Sequence, residues 1–324
     1  MSEVQSIQWF PGHMTRTRRQ IEKCLPKVDM VAEIIDARVP VSSRNPVLQQ
    51  LIRGKPRMIL MNKCDMADPA ETAKWVCHYK EKGITALEVD CKTGRGVNRF
   101  APAVREVLRD RIAVWESKGM VGRPIRVMVV GIPNVGKSSL INKLCKGIKG
   151  KAEVQDRPGV TRENRWFTIG NGLELLDTPG VLWPKFEDKR VGERLAFTGA
   201  VKDDILDREH LAARLLECLQ NKGYLGKVGE RYKLEEADLQ ELDGFGMLEK
   251  IGKKRGFLVR GGEVALDRTA ITVLDEFRGG KIGRISIEQV HEGAEKERKT
   301  CAPRRSGSGM RERPGNRDTP PFAA

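Results

Sequence analysis

One segment constrains this chain more than any other. Gly131-Ile132-Pro133-Asn134-Val135-Gly136-Lys137-Ser138 fits the pattern G-x-x-x-x-G-K-[ST], directly after an apolar run at 126–130 and directly before a helix-like stretch at 137–144. A glycine-bearing loop between a strand and a helix N-terminus lets backbone N–H groups close around a phosphate, with no Cβ in the way and the helix's partial positive charge behind it. Lys137 would then reach the terminal phosphates, and Ser138 would place its hydroxyl on Mg²⁺. Asn134, Val135, Gly136 and Ser139 complete the candidate phosphate-binding set. A plain glycine-rich turn is the bland reading of the same residues.

The rest of the first half supplies the sheet such a loop needs. Short apolar runs at 30–35, 58–61, 86–89 and 125–130 alternate with amphipathic stretches, which predicts a parallel sheet with helices on its faces. Two further strands are expected at 164–169 and 173–176, joined by Gly170-Asn171-Gly172 as a hairpin turn. Beyond Pro184 the texture turns helical, with Leu211, Leu215, Leu216 and Leu219 on one face and later Leu239, Leu242, Leu248 and Ile251. The expected division is a nucleotide-binding domain at 1–187, a smaller helical domain at 188–290, and a basic tail at 291–324 too polar to bury a core.

A formal charge of +15 favours a polyanionic partner such as RNA and opposes self-association, which points to a monomer; an anionic membrane surface would attract the same charge. Seven cysteines without a close C-x-x-C pair suggest neither a disulfide framework nor a zinc knuckle. No apolar run approaches the roughly 20 residues that span a bilayer, and the N-terminus lacks the pattern of a secretory or transit peptide. The expectation is a cytoplasmic protein, or one of an organelle matrix had a presequence been removed.

Asn62-Lys63-Cys64-Asp65 ends the run at 57–61, at the carboxyl edge of the sheet where open α/β folds bind ligands. It resembles the N-K-x-D motif of GTPases, in which the aspartate accepts two hydrogen bonds from guanine, the asparagine fixes the loop and the lysine stem lies over the ring. Asp177-Thr178-Pro179-Gly180 resembles their D-x-x-G motif, implying that Asp177 serves Mg²⁺ and that the Gly180 N–H senses the γ-phosphate. Thr161 resembles the switch threonine that completes the Mg²⁺ shell. Asp90-Cys91-Lys92 lies where such proteins often show Ser-Ala-Lys, so Cys91 and Lys92 are candidates for a backbone contact to guanine O6. Alone, each of these short patterns is also a common surface turn.

The elements run as base motif, phosphate loop, switch threonine and D-x-x-G, the order of the circularly permuted GTPases. The implied fold is α/β: a P-loop NTPase with a circularly permuted Ras-like mixed sheet, followed by a smaller mostly helical domain. The base motif and phosphate loop are expected at neighbouring strand tips on one cleft. Trp9-Phe-Pro-Gly-His13-Met14, Asp36-Ala-Arg38-Val-Pro40 and Ser43-Arg44-Asn45-Pro46 further resemble the ribosome biogenesis GTPase A family.

That resemblance covers about nine-tenths of the chain and implies GTP hydrolysis to GDP during late assembly of the large ribosomal subunit, with Lys137 in the catalytic set. Val181 stands where many GTPases carry a water-orienting glutamine, and an apolar side chain cannot do that work. Two substitutes are visible. Asn134 matches an asparagine that in potassium-dependent relatives accompanies a charge-neutralising K⁺. His13 matches a histidine implicated in positioning the hydrolytic water; packing of the N-terminal segment is its equal alternative. Ribosomal RNA is the expected partner, with Lys250, Lys253, Lys254, Arg255, Arg260 and Arg268 as phosphate contacts or simply solvated residues. Integral membrane association is not expected. The rival readings are an RNA-binding scaffold holding GTP structurally and an assembly factor of the small subunit.

Overall fold

The computed structural model describes residues 11–145, 165–170, 172–183, 186, 188–201 and 207–290, the side chains of 11–15 excepted. The apolar runs form strands β1 (Met30–Asp36), β2 (Arg57–Asn62), β3 (Thr85–Glu88) and β4 (Ile125–Val130). β5 (Arg165–Ile169) and β6 (Leu173–Asp177) form the expected hairpin, Ile169 pairing with Leu173. All six join one sheet in the order β3-β2-β1-β4-β6-β5, parallel except for β5, which runs antiparallel at one edge. The expected α/β fold with a mixed sheet is the fold found.

β1 shows why these segments read as continuous apolar runs rather than alternating ones: every one of its residues is buried, because helices cover both faces of the sheet. Met30, Ala32 and Ile34 face one apolar cluster, with Phe100 and Val104 of α4 (Phe100–Val107) and Leu140 of α6 (Lys137–Cys145). The residues between them face the other way. Val31 meets Ile21 of α1 (Pro11–Cys24) and Leu48 of α2 (Pro46–Leu51), and Ile35 meets Trp75 and Tyr79 of α3 (Pro69–Glu81). Glu33 breaks the apolar set. Its buried carboxylate accepts from Gln49 Nε2 at 2.5 Å and from Arg44 Nε at 3.4 Å, which offsets the cost of burying the charge.

Helix starts follow local chemistry. Asn45 and Asp68 accept from amides in the first turns of α2 and α3, each with proline at the first helical position. α5 (Arg109–Ser117) leads into β4. After the sheet come α7 (Lys189–Phe197), α8 (Arg208–Asn221), α9 (Leu225–Tyr232), α10 (Ala237–Gln240), α11 (Gly244–Arg255) and α12 (Leu266–Arg278). Leu211, Leu215, Leu216 and Leu219 are all buried on α8 as their spacing requires. The later series is split, with Leu239 on α10, Leu242 between the helices and Leu248 and Ile251 on α11, because Asp243 accepts from Gly246 N and starts α11 afresh.

The expected boundary at 187/188 falls at Asp188, the N-cap of α7, and apolar packing continues across it: one cluster runs from β1 through Leu195 and Phe197 to Leu215 and Phe277. The chain after α12 then returns to the first segment. Ile287 N donates to Arg38 O at 2.9 Å, and the buried Glu288 carboxylate accepts from Val41 N at 2.6 Å and Arg194 Nη1 at 2.8 Å. Among the described residues, no helix is long and apolar enough to cross a membrane.

Candidate nucleotide site

Four parallel strands end on one edge, and each ends in a residue singled out by pattern: Asp36, Asn62, the loop after Val130, and Asp177. The base motif and the phosphate loop share that edge but are not on adjacent strands, since β1 lies between β2 and β4. Side chains close the gap. Asn62, 4% exposed, donates through Nδ2 to Val135 O at 2.6 Å and accepts at Oδ1 from Cys91 N at 2.9 Å. One amide therefore ties three loops together.

Space is tight there, which explains the glycine at 136. Its φ of 103° is one that L-residues rarely adopt, and a Cβ would overlap Asn62 Nδ2. Among the described residues only three non-glycines have positive φ, and two of them, Lys63 (61°) and Asn134 (60°), lie in these loops. Such backbone costs about 1 kcal/mol or more per residue and concentrates at functional sites.

Lys63 places its Nζ 3.0 Å from Asp36 Oδ2, and Arg38 pairs with the same carboxylate at 2.8 Å. Burial alone would raise the Asp36 pKa, but the two cations outweigh it and hold the carboxyl well below its usual range. The Asp36-Ala-Arg38 signature is thus a charge anchor under the base loop. Asp65, on that loop, has a buried Oδ1 that accepts no hydrogen bond among the described residues, which leaves an acceptor available to a ligand. The amides of Cys91 and Lys92 donate to Asn62 Oδ1 and to Asp90 Oδ1 (2.8 Å), so both candidate contacts to a base oxygen already have protein acceptors. The segment shapes the base loop rather than offering free donors in this conformation.

At the phosphate end, Lys137 opens α6 and is only 7% exposed. Its ammonium donates to Ile132 O at 2.7 Å and to Gly131 O at 3.2 Å, bracing the loop from within. Burial pushes its pKa down to about 8, while the negative charge of Asp177 pulls the other way. Ser138 and Ser139 follow on the same first turn. Gly180 lies against this lysine: a Cβ there would stand 2.9 Å from Lys137 Nζ and 2.8 Å from Pro133 N. Val181 is 5% exposed within the apolar layer beneath the sheet, its amide donating to Gly131 O at 3.3 Å and its carbonyl accepting from Asn45 Nδ2 at 2.9 Å.

Asn134 donates through Nδ2 to Gly199 O at 2.6 Å, joining the phosphate loop to the end of α7 and leaving its own carbonyl oxygen as a donor for a cation. Thr161 lies outside the described residues. His13 falls in the first turn of α1, with its side chain likewise outside them. Of the basic candidates, Lys250 pairs with Asp238, Lys253 with Glu249 and Arg255 with Glu276, and Arg268 stacks on Phe257. Lys254 and Arg260 are exposed. Pattern reading gave no role to Arg284, Glu288 or Gly199, whose partners lie tens of residues away or more; no local signal could have marked them.

Comparison with known proteins agrees with this geometry. The family described as "50S ribosome-binding GTPase" matches residues 126–242. The chain is 46% identical to ribosome biogenesis GTPase A of Bacillus cereus, over 89% of this chain and 96% of that protein. Among solved structures it resembles GDP-bound TM YlqF (27% identity, TM-score 0.61, 84% of this chain and 100% of that one). It also resembles GNP-bound YlqF from T. maritima (26% identity, TM-score 0.58, covering 85% and 98%).

Proposed function

Because the chain belongs to the ribosome biogenesis GTPase A family, and so is a GTP-binding and GTP-hydrolysing factor of ribosome assembly, we propose that it binds the precursor of the large ribosomal subunit late in its assembly and uses hydrolysis as a conformational switch. The observation that carries the nucleotide reading is the Asn62 side chain, whose two hydrogen bonds hold the base and phosphate motifs as one site. Asp65 would accept from the guanine ring and Lys63 would flank it; adenine offers the wrong donors and would leave the carboxylate unpaired. Gly136, Lys137, Ser138 and Ser139 would surround the phosphates, and the Gly180 amide would read the γ-phosphate.

GTPases of this kind generally use Mg²⁺. The Ser138 hydroxyl and Asp177 carboxylate are hard oxygen donors that suit it, with Thr161 assigned to the same shell by resemblance; when bound, the ion neutralises charge on the phosphoryl oxygens. Asn134, whose carbonyl oxygen is not used by its bond to Gly199, suits K⁺. In the reaction, water oxygen bonds to the γ-phosphorus as the bond to the bridging oxygen breaks, giving GDP and phosphate. Lys137 would steady the charge that shifts toward that bridging oxygen, and His13 would orient the water.

The helical part, with Lys254 and Arg260 exposed, is assigned to ribosomal RNA, in keeping with the charge of +15. Residues 1–187, 188–290 and 291–324 would serve as switch, ribosome-binding unit and basic tail of a cytoplasmic monomer.

GTP turnover measured alone, with large subunits and with small subunits, in K⁺ and in Na⁺, tests the proposal. Large subunits and K⁺ are each expected to raise turnover about tenfold or more. Stimulation by small subunits alone would move the assignment to that particle. Tight GTP binding with no stimulation by either would favour a scaffold.

A further inference from the structure

The loop carrying Asp65 is held mainly from outside its own neighbourhood. Its Cys64 carbonyl accepts from Arg284 Nη2 at 2.9 Å and its Ala67 carbonyl from Arg284 Nε at 3.0 Å. The carbonyl between them, Met66 O, accepts from Ile285 N at 2.8 Å, and the Asp68 amide donates to Ser286 Oγ at 3.0 Å. Four backbone groups in the stretch 64–68 are thus bound by three consecutive residues that follow α12. The contact is close at its other end too: a Cβ on Gly280 would stand 2.8 Å from Met66 Cγ. The bracing segment is itself fastened to the helical part, Tyr224 OH accepting from Ser286 N at 3.3 Å and Lys227 Nζ donating to Arg284 O.

A carboxylate that must meet two adjacent donors on a planar base has to be set in distance and in angle together, and a misplaced loop forfeits the second bond before the first. The forked guanidinium of Arg284 fixes two carbonyls on either side of the loop through donors set rigidly in one plane, which the freely rotating ammonium of a lysine lacks. We propose that Arg284 is a positioning residue for guanine recognition, setting the loop that carries Asp65 and so making base selectivity depend on the helical part of the chain. The inference rests on the reading that Asp65 accepts from the guanine ring.

The test is equilibrium binding of GDP and of IDP, whose base lacks the exocyclic amine, to the full-length protein and its variants. Arg284→Ala is expected to weaken GDP about tenfold and IDP less, so that the preference for GDP over IDP shrinks about threefold or more. Arg284→Lys, which retains a donor for one carbonyl, should recover part of that preference. Arg278→Ala, which removes a similar grip on the Ala196 and Phe197 carbonyls at the end of α7, should leave it unchanged. A purely stabilising Arg284 would lower the unfolding temperature and leave the GDP:IDP ratio at its wild-type value; that result overturns the inference. If Arg284→Ala does not fold, the ratio measured on Arg284→Lys decides. Wild-type protein that binds ADP as well as GDP would instead sink the underlying assignment of Asp65.

Discussion

Asn62→Ala removes a side chain that touches both ends of the nucleotide site at once. Two hydrogen bonds are lost, at 2.6 and 2.9 Å, and each is worth about 1 kcal/mol net. The Cys91 amide, on a residue only 2% exposed, is left buried without its acceptor, which costs about 1–3 kcal/mol more. The total of about 3–5 kcal/mol is divided between stability and binding, according to how far the loops relax when empty. If they relax little, the loss shows as a fall of about 5–10 °C in Tm for a protein of this size. If they relax fully, binding must reorder them, and GDP affinity drops about 100-fold or more at 1.4 kcal/mol per decade.

Fluorescent-nucleotide titration and calorimetric unfolding of the same variant measure the two shares. Asn62→Asp is the companion variant: it keeps an acceptor for Cys91 N but sets a carboxylate against the Val135 carbonyl, and should bind no better than the alanine variant. An Asn62→Ala protein that binds GDP within threefold of wild type and unfolds at the wild-type temperature would refute the view that this amide joins the two motifs.

Gly180→Ala brings a methyl group against Pro133 N and Lys137 Nζ, so turnover should fall about tenfold and a GTP analogue should lose more affinity than GDP; equal affinity ratios and normal turnover would count against a γ-phosphate role for this loop. Lys137, with its pKa near 8 rather than the ordinary 10.5, should take up a proton when the phosphates bind. GDP affinity should therefore fall as pH rises above about 8, and calorimetry in buffers of different ionisation enthalpy should show proton uptake there. For the empty protein the sign is opposite: the unfolded chain holds more protons between about 8 and 10.5, so this lysine's contribution to stability rises with pH across that window.

Much of the scaffold was legible because its signals are local. β1, β2 and β4 are apolar runs whose lengths match strands, and Gly131 and Gly136 mark places where the loop leaves no room for a Cβ. Asn45 and Asp68 start their helices through contacts no more than three residues away. What was not legible is carried by side chains that act at a distance. Asp36 stands in the sequence only as part of a family signature, and its role shows once Arg38 and Lys63 converge on it. Glu288 lies 246 positions from the Ser42 amide it accepts from, and Arg284 is 220 from Cys64. In a chain with 59 lysines and arginines, nothing in the sequence sets Arg284 apart. Cys91 and Lys92 lie beside the base loop, but the competition of Asn62 and Asp90 for their amides is a tertiary fact.

Val181 carries a last consequence. Its side chain is sealed in the layer under the sheet, and its backbone is fastened on one side to Gly131 and on the other to Asn45. A long polar side chain grafted at that position would have either to bury an amide among aliphatic groups or to tear the loop from both moorings. The route by which other switch proteins recruit their water is therefore barred by architecture as well as by the amino acid present, and whatever sets the clock of this one must approach the phosphates from another direction.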